Sequence, residues 1–275
     1  MTAAAPVPAL APHEVQLWCF FYEDAFATDD SLATRYDTLI TPDERERVRA
    51  FRFEKHQRQS LASRALVRTV LSHHAAVAPT DWRFEAGTNG KPFIAPSPGQ
   101  APLHFNLAHT QGLVVCAVSC SHERLGVDVE AFDRRASAAD IAESHFTPAE
   151  NALLRRVPAE HRHHAFLRLW TLKESFIKAT GDGLSTPLDQ FGFEIEPLPM
   201  DKPCAVPARF QAAPNGLTER TDHWRFVQWR LKGPHGDFAV ALGADTASAP
   251  LRCRVFEAVP LRRHAERPDL AFTAI

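Results

Sequence analysis

The sequence predicts an α+β fold built as two similar α/β lobes, and three observations carry that prediction. Short apolar strands alternate with two long helical patterns, one in each half of the chain. The same helix opening, Thr-Pro-x-Glu, occurs at Thr41 and again at Thr147, 106 residues later, and the long helices follow at a similar offset. A chain of 275 residues, 45% hydrophobic and 23% charged, can bury one large core or two ordinary ones. A repeat of that length is compatible with two like halves meeting at an interface. Since TPxE is also a common helix opening, the order of elements around it matters more than the motif itself. The expected division is 1–123 and 124–248 for the lobes, with 249–275 as a C-terminal extension.

A first strand is predicted over Val15–Tyr22, where Val15, Leu17, Cys19 and Phe21 alternate with their neighbours. Thr41-Pro-Asp-Glu44 then opens a helix: the threonine caps, the proline suits the first turn and the glutamate completes a capping box. Ser60–His74 carries Leu61, Ala65, Val67 and Leu71 at helical spacing. Short strands follow near Trp82–Glu85, Leu103–Ala108 and Leu113–Ser119, the last two joined by a turn at Thr110–Gly112. Gly126–Glu130 starts the second round as a strand, Thr147-Pro-Ala-Glu150 is a second capping box and His163–Thr180 a second long helix. Phe191–Ile195, Trp224–Leu231 and Phe238–Leu242 are strands. Asp201–Asp222, rich in Pro, Ala and polar residues, is expected to be a loop, Leu251–Val259 one more strand, and the end a peripheral tail.

Lys plus Arg number 31 and Asp plus Glu 33, a formal charge of −2. That balance excludes a partner held by general electrostatics, as nucleic acid would be. The 21 prolines against 12 glycines favour rigid connections over flexible linkers. No apolar run approaches the ~20 residues that span a bilayer. Met1–Pro12 lacks the cationic and continuous apolar regions of a secretory signal. The five cysteines (Cys19, Cys116, Cys120, Cys204, Cys253) are odd in number and contain no CxxC pair, so reduced thiols in a cytoplasm are the expectation.

Three constellations carry chemistry. In Gly126-Val-Asp-Val-Glu130, strand alternation sends Val127 and Val129 to the core and puts Asp128 and Glu130 on the opposite face. Two carboxylates ~6.5–7 Å apart at the backbone can converge on one hard cation, and Mg²⁺ suits a phosphorylated ligand. A half-exposed strand with a wet face is the plain alternative. In Trp170-Thr-Leu-Lys-Glu-Ser-Phe-Ile-Lys178, Glu174 and Lys178 are one turn apart on a helix whose apolar residues leave only a narrow polar stripe. Charges on so buried a helix need partners. Glu174 beside Asp128 and Glu130, with Lys178 one turn on, would make a metal-plus-phosphate site, and Gly181 and Gly183 supply the helix end and a tight turn. The third constellation joins Thr88-Asn-Gly-Lys-Pro-Phe93 to Phe105-Asn-Leu-Ala-His-Thr110. Lys91 can act as a point charge for phosphate, Asn106 can bridge backbone groups and His109 stands at a strand end. The arginines Arg45, Arg47, Arg49 and Arg52, mixed with acids, read as a solvated face, and His161, His163 and His164 as surface. No GxSxG, Walker A or GxGxxG motif is present, which removes the common hydrolase, nucleotidase and dinucleotide readings.

The order GKP, FNxxH, GVDVE and WTLKESFIKATGDGL, spread over Thr41–Leu242, resembles the Sfp-type 4′-phosphopantetheinyl transferases, the activators of polyketide, nonribosomal-peptide and fatty-acid carrier proteins. The resemblance implies a pseudo-twofold pair of lobes in one monomeric chain, with the active site at the lobe interface. It also implies transfer of 4′-phosphopantetheine from coenzyme A to a serine of an acyl or peptidyl carrier protein, releasing adenosine 3′,5′-bisphosphate. Carried over position by position, Asp128, Glu130 and Glu174 hold Mg²⁺ on the CoA pyrophosphate. Glu174 serves as base for the carrier hydroxyl and Lys178 neutralises or protonates the departing phosphate. Lys91, with Pro92 beside it, and His109 hold CoA phosphates, and Arg47 and Ser60 match positions at the 3′-phosphate. Glu44 and Gln59 stand where some relatives are basic, which leaves Arg47, Arg58 and Arg52 as the candidate grip. Phe146–Leu154, with Glu150, matches the segment beside the carrier protein, and its apolar groups are expected to be exposed for docking. A module that grips CoA or carrier without catalysis is the alternative class; another CoA-dependent acyltransferase lacks a candidate nucleophile in these motifs.

Overall fold

In this computed structural model, residues 6–99, 101–134, 138–196, 203–212, 216, 217 and 219–274 are described. Strand β1 (Glu14–Phe21) leads into two short helices, α1 (Tyr22–Thr28) and α2 (Ser31–Asp37), then α3 (Pro42–Arg49) and the long α4 (Glu54–His74). A small hairpin of β2 (Phe84–Ala86) and β3 (Pro92–Ile94) precedes β4 (His104–Thr110) and β5 (Leu113–Ser119). The second half runs β6 (Leu125–Ala131), α5 (Ala138–His145), α6 (Pro148–Arg156), the long α7 (Ala159–Thr180), β7 (Phe191–Ile195), β8 (Cys204–Ala212), β9 (Trp224–Gly233) and β10 (Gly236–Asp245). Three further strands follow: β11 (Leu251–Val259), β12 (Arg263–Glu266) and β13 (Phe272–Ala274).

Two main sheets form, ordered β12-β11-β1-β5-β4, with β13 also on β11, and β6-β10-β9-β8-β7. Their side chains sort by strand alternation. Trp18, Phe20, Val114, Cys116 and Val118 pack against the helices of the first half. Val15, Leu17, Val115 and Ala117 meet Val127, Val129, Trp229 and Val240 of the second sheet in a shared middle core. The far face of the second sheet carries Ala239 and Ala241 and joins Phe176, Phe191, Phe210 and Phe226 in a third, aromatic cluster with α7. The layers are thus helix, sheet, sheet, helix. Strands such as β5, buried at every position, read as continuous apolar runs for this reason.

Both predicted capping boxes form: Thr41 and Thr147 each accept from the backbone N–H three residues on, and Glu44 and Glu150 reach back to the cap. Each glutamate also meets a buried cation of the following long helix. Arg68 Nη2 lies 2.7 Å from Glu44 Oε2, and Lys173 Nζ lies 2.9 Å from Glu150 Oε2. Other donors of these cations bind backbone carbonyls of the segment that follows each helix, Pro79 and Trp82 for Arg68, Leu188 and Phe191 for Lys173. Cap, helix and return loop are stitched at one point in each lobe.

Three expectations are corrected. The segment 201–222 is not all loop: Cys204–Ala212 is β8, hydrogen-bonded between β7 and β9, and Pro207 takes an exposed strand position. The C-terminal segment is not a peripheral tail: β11 pairs in parallel with β1, Phe256 stacks on Trp18, and Leu270 is buried and accepts from Trp229 Nε1. Phe146, Glu150 and Leu154 do not face solvent; all three are buried, the two apolar ones in the core of the second lobe.

Candidate active site between β6 and α7

Close packing of a strand on a helix builds the site. A Cβ placed at Gly126 of β6 would lie 2.0 Å from the Ser175 carbonyl and 2.5 Å from the Ala179 nitrogen of α7. Only glycine lets the two backbones approach so closely. Two and four residues further on, Asp128 and Glu130 lie opposite Ala241 and Ala239 of β10, small residues on the face that packs against α7. Asn106 of β4 ties the first sheet to this strand, its Oδ1 accepting from the Val127 N–H at 2.8 Å.

Asp128, Glu130 and Glu174 share one electrostatic neighbourhood. Burial pushes the Asp128 carboxyl up despite the Lys178 ammonium, whose Nζ lies 2.6 Å from Oδ1. Burial and then the Asp128 charge push Glu130 up to about 7, with Glu174 adding to the rise. Glu174 is raised by burial and by Asp128. Glu130 also pairs with Arg134, four residues on, just past the end of β6. His109, at the exposed end of β4, is pushed down by desolvation first and next by Lys178, with Asp128 and Arg64 also acting on it. The structure therefore brings Asp128, Glu130, Glu174, Lys178 and His109 together.

Arg47 and Ser60 belong to a second group. Arg64 of α4 donates from Nη1 to the Ser60 hydroxyl and to its carbonyl, the latter at 3.1 Å. Burial lowers Arg64, and the exposed Arg47 lowers it further, so these two guanidinium groups are neighbours. Sequence reasoning missed Arg64, which links this basic strip to His109. Its signal was the i,i+4 spacing of Ser60, Arg64 and Arg68 on one helix face. Arg58 and Arg52 are engaged elsewhere, Arg58 with Glu54 at 2.5 Å and Arg52 over the Phe53 ring.

Lys91 and Pro92 reach the C-terminal end of α7 rather than the carboxylates. Lys91 Nζ donates to the carbonyls of Ala179 (2.8 Å) and Leu125 (3.3 Å), and burial pushes its ammonium down to about 8. Asn89 Nδ2 donates to the Gly181 carbonyl, and Gly181 closes α7 at φ 78°. Beside this junction lies a cavity of about 710 Å³, lined by Lys91, Pro92, His104 and Gly181 among others.

Among the described residues, no three His, Cys, Asp or Glu side chains are grouped to ligate one ion as they stand. The donor set nonetheless fits a hard divalent cation. All three groups are carboxylates, the Asp128 charge raises the proton affinity of the other two, and Asp128 Oδ2 is buried without a hydrogen-bond partner.

An acidic triad, buried at Asp128 and Glu130 and half-buried at Glu174, stands beside Lys178 with a basic strip on the adjoining lobe, an arrangement suited to phosphorylated ligands. Comparisons with known proteins make that class specific. The 4′-phosphopantetheinyl transferase superfamily model matches residues 124–243, and that for the N-terminal part of 4′-phosphopantetheinyl transferases matches 29–121. The 4′-phosphopantetheinyl transferase HetI of Nostoc sp. is 32% identical over 209 residues, 76% of this chain and 83% of that protein. Sfp of Bacillus subtilis is 33% identical over 161 residues, 58% and 69% of the two chains. The L-aminoadipate-semialdehyde dehydrogenase-phosphopantetheinyl transferase of Xenopus laevis is 28% identical over 212 residues, 74% and 68%. The chain belongs to the 4′-phosphopantetheinyl transferases, enzymes that move the 4′-phosphopantetheine group of coenzyme A onto carrier proteins.

Proposed function

We propose that the chain modifies a serine of an acyl or peptidyl carrier protein with Mg²⁺ held by Asp128, Glu130 and Glu174, and that it works as a cytoplasmic monomer without nucleic acid. The lobes of the active unit are 1–123 and 124–248, with 249–275 as the added C-terminal segment. The observation that carries this reading is the grouping of Asp128 and Glu130 of β6 with Glu174 of α7, in which the Asp128 charge raises the other two carboxyls, next to Lys178. When bound, Mg²⁺ offsets negative charge on the CoA pyrophosphate.

The chain's own residues then divide the work. Glu174, whose proton affinity is raised, accepts the proton of the carrier serine hydroxyl, a step for which a positioned base supplies ~10²–10⁴-fold. Lys178, now on Asp128, turns to the phosphate that leaves with adenosine 3′,5′-bisphosphate. His109, Arg47 and Ser60 hold the phosphates of CoA, and Arg64 keeps the Ser60 hydroxyl oriented. Lys91 has three donors and gives one to the Ala179 carbonyl of α7 and one to the Leu125 carbonyl of β6, leaving one for a phosphate oxygen. Pro92, the first residue of β3, stiffens the backbone next to Lys91. The free and largely buried cysteines are consistent with a reducing compartment.

Incubation of the purified chain with CoA, Mg²⁺ and an apo carrier domain, followed by intact mass, tests the proposal. Addition of one phosphopantetheine arm that EDTA abolishes and Mg²⁺ restores is the expected result. Transfer that persists in EDTA would overturn the metal assignment, and CoA binding with no gain in carrier mass would overturn the catalytic one.

A further inference from the structure

The acidic cluster is a row with two ends. β6 and α7 run in opposite directions: Gly126 packs on Ser175 and Ala179, Asp128 pairs with Lys178, and at the far end the rings of Phe132 and His164 lie 4.6 Å apart. The cations assigned to CoA stand at one end. Lys91 donates to Leu125 and Ala179, Lys178 pairs with Asp128, and His109 lies in the field of Lys178 and Arg64. The cavity of about 710 Å³ beside Lys91 and Gly181 opens at that end too.

Arg134 stands at the other end. β6 stops at Ala131, and the Arg134 N–H donates to the Ala131 carbonyl at 3.1 Å, closing a tight turn. Phe132 fixes this turn by donating its N–H to the Asp237 carbonyl at 3.0 Å. The turn folds the Arg134 guanidinium back onto Glu130 Oε1. The Glu130 side chain is 11% exposed and that of Arg134 48%, so the carboxylate is held in place and the cation is the partner with room to move. The Arg134 charge reaches the whole row, acting on Asp128 and Glu174 as well as on Glu130.

Charge balance gives this pairing a purpose. In the free chain the three carboxylates are offset by two cations, Lys178 on Asp128 and Arg134 on Glu130. A divalent ion taken up by the same carboxylates competes with both cations and repels them. The diphosphate of CoA brings matching negative charge, so each displaced cation has an anion to turn to. Lys178 stands on the nucleotide side, beside the phosphorus that leaves with adenosine 3′,5′-bisphosphate. Arg134 stands on the opposite side, beside the phosphorus that carries pantetheine.

We propose that Arg134 is a further substrate-binding residue of this reaction, covering Glu130 in the free chain and moving to the transferred phosphoryl group when metal and CoA load the site. There its planar fork donates to the non-bridging oxygens. The serine oxygen bonds to that phosphorus, the bridging oxygen departs with the nucleotide, and the hydroxyl proton goes to Glu174. This role depends on the carboxylate cluster being the metal site. Removing Arg134 then acts in two opposite senses: the free site takes metal more readily, while CoA is held less well.

Mn²⁺ binding to the full chain, followed by EPR without CoA, should tighten roughly two- to tenfold in Arg134→Gln, because a competing cation is gone. By calorimetry at saturating Mg²⁺, the same variant should bind CoA about tenfold more weakly. It should bind adenosine 3′,5′-bisphosphate, which lacks the transferred phosphoryl group, as wild type does. A purely structural ion pair would not separate these two ligands. Carrier modification should slow on the order of 10²-fold. Arg134→Lys, which keeps the charge but not the fork, should return Mn²⁺ affinity to the wild-type value and recover only part of the rate. Equal Mn²⁺ affinity in wild type and Arg134→Gln, or equal weakening of CoA and the bisphosphate, would overturn the proposal alone, provided Asp128→Ala abolishes Mn²⁺ binding. Mn²⁺ binding that survives Asp128→Ala would overturn the metal site and the proposal with it.

Discussion

The two long helices, α4 and α7, hang from the same device and present opposite chemistry. Each follows a TPxE capping box, and each buries a cation on the box's glutamate, 27 residues after Thr41 for Arg68 and 26 after Thr147 for Lys173. From that common anchor, α4 shows Ser60 and Arg64 beside Arg47, while α7 shows Glu174 and Lys178 beside Asp128 and Glu130. The anchors also differ in depth. Lys173 and Glu150 side chains are 0% and 2% exposed, whereas Glu44 keeps 17% and shares its charge with Arg64. The more deeply fixed helix is the one that carries the proposed metal and base residues. A repeated scaffold can thus hold a phosphate grip in one lobe and an acidic cluster in the other without altering its own packing.

The largest asymmetry should appear in turnover. Glu174→Gln is expected to lower the rate ~10²–10⁴-fold with Tm little changed, while Ser60→Ala on the other helix should raise KM for CoA several-fold and leave kcat alone. Steady-state kinetics on both variants checks this; equal loss of kcat in the two would erase the distinction between the helices.

Next in size is the anchor itself. Removing one partner of a buried pair leaves an uncompensated charge, so Lys173→Met should destabilise by ~3–5 kcal/mol. Arg68→Met should cost clearly less, because Glu44 retains solvent contact and Arg64. Denaturant unfolding of the two variants, with Lys173→Met/Glu150→Gln as the rescue, measures the difference.

Gly126→Ala forces β6 and α7 apart, and overpacking of this kind costs ~1–3 kcal/mol. It should also reduce turnover more than that loss of stability explains, because Asp128 and Glu174 separate. Chemical denaturation paired with the mass assay distinguishes the two effects.

The smallest effect is a pH dependence of the metal-free chain. Glu130, raised to about 7 from an unfolded value of 4.5, retains its proton in the fold when the unfolded chain has lost it. Its contribution is therefore full below about 4.5 and is lost as pH rises through about 7. Asp128 and Glu174 shift in the same direction. Histidines such as His109 and His122, pushed down, act in the opposite sense. The readable quantity is the wild-type minus Glu130→Gln difference in Tm under EDTA, which should become more negative by a few degrees between pH 5 and 7.5; a flat difference would place Glu130 in an ordinary environment.

Local signals were the legible part of the fold. Capping boxes, the Gly181 stop and the alternation that puts Asp128 and Glu130 on one face are each written within a few residues, and they reappear in the structure. Pairings between distant segments were not legible. β8 hides behind Pro207 and a run of small residues because its strand character comes from lying between β7 and β9. The parallel pairing of β11 with β1 joins segments from opposite ends of the chain, and nothing local announces it. The same holds at the site. That Arg64 would link Arg47 to His109, or that Lys91 would donate to the end of α7, depends on how α4 and the β2–β3 hairpin dock. Phe146 and Leu154 misled for the converse reason: an amphipathic segment shows which residues share a face, not whether that face meets solvent or a sheet.

The central claim is that Asp128, Glu130 and Glu174 form one divalent-cation site across β6 and α7. Titration with Mn²⁺ as a paramagnetic stand-in for Mg²⁺, followed by EPR in the presence of CoA, addresses it most directly. One ion per chain, lost in Asp128→Ala and in Glu174→Gln alike, is the predicted outcome. Unaltered stoichiometric binding in both variants would contradict it.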